Sequence, residues 1–167
     1  MKIKVEKLTE KTFAPYGNIL GRTDNRTPDI QDEISDVWLG VSDLMQIGNN
    51  GGNPATYLRI HSHPKLYNTV ERHLTSAEAF IPLEGKGILL VGPADNTKPL
   101  NPNDLRAFYM DGSCGVLFPK GTWHAVPYKM SDILSFLVLV DDVSIKNGDI
   151  DKQTIDNVEF DMSGLKM

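Results

Sequence analysis

Two histidines and two acids occur at spacings that a small β-structure can bring to one point. His73 is followed, after four intervening residues, by Glu78 and then, after six more, by Gly85. About fifty residues downstream stands Pro119-Lys120-Gly121-Thr122-Trp123-His124. On a strand, side chains two apart share a face, so Glu71 and His73 project together and Arg72 points the other way. Glu78 opens a following strand with Phe80 and Pro82 on its own face. The Pro-Lys-Gly turn can aim His124 back toward them. Two imidazoles with one or two carboxylates suit zinc, manganese, iron, nickel or cobalt, and the ligand set alone does not choose among them. Two imidazoles and one carboxylate with open positions also match a non-haem iron facial triad. A lone strand histidine is usually structural, and paired acids are usually a solvated face; the combined spacing carries the metal reading. Glu71 is the weaker ligand candidate because Arg72 or Arg59 offers it an ion pair instead.

The elements that must hold these residues read as strands. Gly and Pro, 14 and 10 in number, punctuate many short apolar stretches along the whole chain, the pattern of an all-β sandwich or barrel. Strands are predicted near residues 3–8, 18–20, 37–41, 56–60, 66–73, 78–83, 87–91, 105–110, 115–118 and 134–140. One helical turn is predicted over Thr9–Phe13, with Thr9 as N-cap and Thr12 near its third position. Gly85 and Gly87 supply the φ > 0 conformations of a hairpin connection. Gly92–Asp104 and Gly21–Asp32 read as polar loops, and Gly48–Pro54 as a loop that can serve as a lid. From Ser144 the chain is polar, although Ile150, Ile155, Val158 and Phe160 can dock it on the body. A single domain over 1–167 is expected, with its core over about 1–141 and a C-terminal tail over 142–167.

Composition excludes several function classes. The 167 residues carry a net charge of −5 and no Lys/Arg stripe, which argues against a nucleic-acid partner. The longest apolar run, Ile133–Val140, is too short to cross a bilayer as a helix, and residues 1–7 lack the apolar region of a signal peptide. One cysteine, Cys114, allows no internal disulfide and fits a reducing compartment. A cytoplasmic protein acting on a small molecule is expected. Cys114 has no basic neighbour in sequence to activate it and reads as structural. His61 and His63 share a face by spacing and can form a second small metal or proton-transfer site, but exposed loop residues before Pro64 are the favoured reading. Tyr57, Tyr67 and Tyr109 each offer a hydroxyl whose direction the sequence does not give.

The pattern His73-x4-Glu78-x6-Gly85 followed by Pro119-x-Gly121-x2-His124 resembles the two cupin motifs, with Glu71 at the position where many cupins open with histidine. More narrowly, Glu71-Arg72-His73 with Ala79-Phe80-Ile81-Pro82-Leu83 is similar to the signature of ureidoglycolate lyases. Phe13-Ala14-Pro15-Tyr16-Gly17, Leu105-Arg106-Ala107-Phe108 and Gly121-Thr122-Trp123-His124 agree with that family in the same order, so the similarity runs from near the N-terminus to about Asp141. The resemblance implies a cupin-type β-barrel (double-stranded β-helix), here with a short N-terminal helical turn and a polar C-terminal tail. It also implies a homodimer and the splitting of ureidoglycolate into glyoxylate and urea in allantoin breakdown. Two positions depart from the family pattern: Glu78 stands where members commonly have Gln, and Ala125 where they have a second His. The first adds an acid suited to a metal, and the second removes an imidazole from the substrate's surroundings.

For that reaction, His73, Glu78 and His124 are the expected ligands of a divalent metal ion, with Glu71 as a fourth ligand or as the base. Glu71, His73 and His124 are the catalytic candidates. Arg59 and Lys120 are candidates for holding the anionic substrate, although a solvated surface cation is the commoner role for each. Trp123 walls the pocket or packs in the core. The rival readings are a metal-dependent cupin isomerase or dioxygenase of another small polar metabolite, and a non-catalytic ligand-binding cupin. Glu78 speaks against the last, since burying an acid costs free energy unless it is paired.

Overall fold

Alternating apolar positions build two facing sheets, because each strand has one face it must hide from water. A computed structural model describes the chain apart from residues 22–25, 43, 48–54, 142, 144, 145, 166 and 167, and apart from the side chains of 45 and 46. The expected lid over 48–54 and part of the expected loop over 21–32 lie outside the described residues. Among the described residues fifteen strands follow in chain order: β1 (Lys2–Lys7), β2 (Asn18–Leu20), β3 (Ile30–Gln31), β4 (Asp36–Val37), β5 (Ala55–Ile60), β6 (Thr69–His73), β7 (Glu78–Glu84), β8 (Gly87–Ala94), β9 (Arg106–Met110), β10 (Gly115–Phe118), β11 (Thr122–His124), β12 (Tyr128–Lys129), β13 (Leu134–Val140), β14 (Ile150–Thr154) and β15 (Glu159–Asp161). The α-helix among the described residues, α1, is Glu10–Phe13. Thr9 caps it in a reciprocal capping box with Thr12, and Phe13 is fully buried. The fold is all-β and cupin-like, as expected.

One sheet has eight strands in the order β14-β6-β11-β8-β9-β1-β15, with β12 beside β8; the other runs β2-β10-β7-β13-β5. Between them lies a core of Leu89, Val91, Phe108 and Met110 from the first sheet and Phe80, Phe118, Phe136 and Val138 from the second. The alternate residues of the first sheet, including Val5, Val70, Ile88, Leu90 and Trp123, form a second cluster on its other face with Leu100, Ile155 and Val158. A sheet covered on both faces explains why Ile88-Leu89-Leu90-Val91 is a continuous apolar run rather than an alternating one.

Several elements differ from the sequence expectation for identifiable reasons. The strand expected over 37–41 is only Asp36–Val37, paired with Ile30–Gln31. Beyond it, Leu39 N–H donates to Asp29 Oδ2 and Trp38 Nε1 to the Arg26 carbonyl, and Gly40 has φ 58°, so the backbone leaves the ladder. The strand expected from Leu66 begins at Thr69, because the backbone of residues 67 and 68 bonds to Ile155, Asn157 and Val158 instead. The C-terminal segment adds two strands: β14 pairs antiparallel with β6, and β15 parallel with β1. In the hairpin between β7 and β8, only Gly85 of the two glycines has positive φ, at 88°.

Candidate metal and active site

Three strand ends meet at one end of the space between the sheets. His73 closes β6, Glu78 opens β7 and His124 closes β11. Glu78 faces inward because it lies in register with Phe118 of β10 and Val140 of β13, two positions from the core residue Phe80. His124 lies directly opposite Glu71 across β11 and β6, which places both on the face that also carries His73. Gly121 sets the approach of β11. Its φ is 83°, its N–H donates to the His73 carbonyl at 2.7 Å, and a Cβ there would stand 2.2 Å from Asn96 Oδ1.

The three side chains converge through chosen atoms. Glu78 Oε2 lies 2.9 Å from His124 Nε2 and 3.4 Å from His73 Nε2. Each ring turns its other nitrogen to a backbone carbonyl: His124 Nδ1 is 3.0 Å from Thr122 O, and His73 Nδ1 is 3.3 Å from Asp149 O. A carbonyl only accepts, so each Nδ1 carries a hydrogen and, in the neutral ring, each Nε2 turns a lone pair toward the carboxylate. All three residues are buried. Phe118 stacks on the His124 ring at 5.1 Å and 16°, and Phe80 meets it edge-on at 6.2 Å.

The three groups of this cluster are electrostatically linked. Burial pushes the Glu78 carboxyl up, but the two imidazoles outweigh it and hold the group at about 2. Burial likewise pushes both imidazoles down, and the Glu78 carboxylate more than reverses this, so both end above their ordinary value. The proximity is not matched by alignment: Oε2 is buried and accepts no aligned hydrogen bond. A buried carboxylate oxygen left so, with two ring nitrogens aimed at it and each ring oriented by a carbonyl, fits a metal ion and its outer hydrogen-bond shell. The ligand atoms lie within 4.8 Å of one another. His73, Glu78 and His124 can therefore hold a metal ion.

The other sequence candidates fall in different places. Glu71 shares the inward face but stands toward solvent, paired to Lys152 at 3.4 Å rather than to Arg72 or Arg59. It remains close enough to raise the His124 pKa. Arg59 is exposed and lies in register with Ser135, on the outer face of the five-stranded sheet, so the structure does not bring it to the triad. Lys120 is exposed in the turn before β11. Trp123 is buried on the opposite face of the eight-stranded sheet, with the Arg72 guanidinium 4.3 Å above its ring. His61 and His63 are exposed and outside any strand, and His63 stacks on Tyr128 at 3.8 Å. Tyr57 points outward, Tyr109 packs with the second cluster, and the Tyr67 hydroxyl donates to the Val126 carbonyl. Cys114 is half-buried, and burial raises its pKa, consistent with a structural thiol.

Sequence reasoning missed Asp149 and Lys152. The Asp149 carboxylate accepts from Leu74 N–H, Thr75 N–H and the Thr75 hydroxyl, tying down the link between β6 and β7, while its carbonyl orients His73. Neither residue belongs to an alternating pattern. Their only local signal was Ile150, an isolated apolar residue in a polar run.

An all-β protein with a His-His-Glu cluster between its sheets is the class that fold and site define. Comparison with known proteins makes this narrower. The ureidoglycolate lyase family pattern matches residues 1–162, and the chain belongs to that family. It is 29% identical over 144 residues to a ureidoglycolate lyase of Burkholderia cepacia, covering 83% of this chain and 78% of the relative. It is 26% identical over 146 residues to ureidoglycolate lyases of Salmonella typhimurium and Salmonella paratyphi B, covering 83% of this chain and 87% of each relative.

Proposed function

We propose that the chain is a ureidoglycolate lyase, a carbon–nitrogen lyase that splits ureidoglycolate into glyoxylate and urea in allantoin and purine breakdown. The observation that carries this reading is the family match over nearly the whole chain, joined to a buried cluster of acid–base groups at one end of the barrel. The site residues are His73, Glu78 and His124 as ligands of a divalent metal ion, with Glu71 beside them as the base. A bound divalent ion would lower the pKa of the substrate hydroxyl and hold the charge that develops on its oxygen.

This chain's own groups do the rest. Glu71 takes the hydroxyl proton, the O–H pair becomes the carbonyl of glyoxylate, and the C–N bond breaks. The proton on Glu71 then passes to the leaving ureido nitrogen, so protons balance over the cycle. Phe80 and Phe118 keep water from the triad, which strengthens its electrostatics. The cupin superfamily, a single domain, a homodimer and a cytoplasmic location belong to the same reading. It is supported by the two-sheet architecture, by an outer sheet face that exposes Tyr57 and Leu83, and by a single unpaired cysteine. Among the described residues, no helix is long and apolar enough to cross a membrane.

The deciding measurement is glyoxylate and urea release from ureidoglycolate, with metal analysis of the same preparation. Equimolar release of both products is expected; metal-replete protein that releases neither would remove the substrate and leave the fold standing. The two-imidazole, one-carboxylate set favours one second reading, an iron-dependent dioxygenase. Iron in the purified protein with substrate-dependent oxygen uptake would select it.

A further inference from the structure

The triad itself offers no cation to the anionic end of the substrate, and neither Arg59 nor Lys120 lines the cleft beside Glu71. A cleft of about 220 Å³ opens beside Glu71, bounded by Ser62, Tyr67, Thr69, Ala125 and Lys152 among others. Lys152 is the only lysine or arginine among the described residues that line it. Its position follows from register. His124 of β11 lies opposite Glu71 of β6, and Glu71 lies opposite Lys152 of β14. Directly paired residues on neighbouring strands share a face, so the three side chains form one row, from the buried imidazole through a half-buried carboxylate to an exposed ammonium. Neighbouring strands are about 4.8 Å apart, which puts the ends of the row roughly 10 Å apart at the backbone. That is the span of a small two-ended metabolite lying across the row.

Resting on the lyase reading, we propose that Lys152 is the residue that recognises the substrate's carboxylate, and that the cleft it lines with Glu71 is the subsite for an α-hydroxy or α-oxo carboxylate. In the free protein the Lys152 ammonium pairs with Glu71 at 3.4 Å. Glu71 repels any incoming anion, so a carboxylate enters only by sharing that ammonium. The same arrangement sets specificity: an uncharged analogue gains nothing from Lys152. Because Lys152 is largely exposed, its replacement leaves the fold intact, and because it belongs to β14, the subsite is completed by the C-terminal segment.

Calorimetric binding of glyoxylate and of uncharged methyl glyoxylate to the wild-type protein, Lys152→Gln and Lys152→Arg tests this. Glyoxylate is expected to bind Lys152→Gln at least tenfold more weakly than wild type and Lys152→Arg within about threefold, which is the pattern of charge recognition. Methyl glyoxylate should bind all three alike, and their melting temperatures should agree. Failure of wild type to bind glyoxylate, equal glyoxylate affinity in Lys152→Gln, or parallel losses for both ligands would each overturn the assignment. Ureidoglycolate turnover on the same samples separates the two readings. With turnover, Lys152→Gln should raise KM with little change in kcat; without it the lyase reading falls, while glyoxylate binding still decides the role of Lys152.

Discussion

At the residue scale, Glu78 decides how the site behaves. Its carboxylate raises the proton affinity of His73 and His124 in the metal-free protein, and a proton on either Nε2 must leave before a metal can bind there. Both imidazoles are raised on folding, so their contribution to stability is complete below the ordinary value of 6.5 and is lost as pH rises through the raised values. Glu78 is lowered from 4.5 to about 2, so its contribution is present above 4.5 and is lost as pH falls toward 2. The cluster thus stabilises metal-free protein most between about pH 4.5 and 6.5. In chelator-treated protein the melting temperature should decline from pH 6 to pH 9 more steeply for wild type than for Glu78→Gln. Added divalent metal should reverse the wild-type trend, since the neutral rings bind it better at the alkaline end. Identical pH profiles for the two proteins would show that Glu78 does not govern the imidazoles. His124→Ala should abolish metal occupancy by direct metal analysis, and full retention would strike His124 from the ligands. These three residues were legible in the sequence because each sits in a local signal, a strand end or a glycine turn. Their outer partners were not, because backbone carbonyls such as those of Thr122 and Asp149 leave no mark on residue type.

At the scale of elements, the C-terminal segment does more than decorate the barrel. β14 lies against β6, follows directly on Asp149 and carries Lys152 within it. One buried cation fastens it from the far face of the sheet. Arg72 donates to Asp151 Oδ2 through Nε at 3.0 Å and through its terminal nitrogen at 2.7 Å, and also to the carbonyls of Asp95 and Lys98. The Arg72 side chain is 7% exposed and that of Asp151 41%, and this asymmetry sets the relative costs. Arg72→Ala leaves two carbonyls without their donor and removes the cover from Trp123, so a loss of about 2–4 kcal/mol is expected. Asp151→Asn leaves Arg72 its two carbonyls and exposes only a solvated amide, so about 1 kcal/mol or less is expected. Denaturant unfolding of both variants measures the difference, and equal losses would show that the ion pair, not the carbonyl contacts, fastens β14. The strands of the barrel body were readable from apolar alternation, with β2, β10 and β13 matching to the residue. β14 was not, since Ile150-Asp151-Lys152-Gln153-Thr154 is an edge strand held by polar pairs and carries one apolar residue in five.

At the scale of the molecule, the two sheets are unequally covered. The eight-stranded sheet is buried on both faces, its outer one sealed by residues such as Leu100, Ile155 and Val158. Among the described residues, the outer face of the five-stranded sheet has such cover at one end, where Ile47 packs with Ala79, Leu117 and Leu139, and less beyond it. Tyr57, Leu137 and Ile81 stand in one register row across β5, β13 and β7, with Tyr57 63% exposed and Leu83 of the same face 57%. An apolar row of this kind on an otherwise acidic protein is the surface a second copy would cover, because a two-fold interface pairs a patch with itself and needs no complementary partner. The homodimer reading therefore makes a concrete demand. Light scattering after gel filtration should give the mass of two chains for wild type. Tyr57→Asp should shift it toward one, because the new carboxylates would face each other near the two-fold axis and lose their water together. Tyr57 sits on an edge strand and is exposed, so the monomeric variant should keep its fold and its triad, with far-ultraviolet circular dichroism and metal content unchanged. A wild-type protein that elutes with the mass of one chain would refute the dimer while leaving the His73–Glu78–His124 site as it is, since none of its atoms depends on that face.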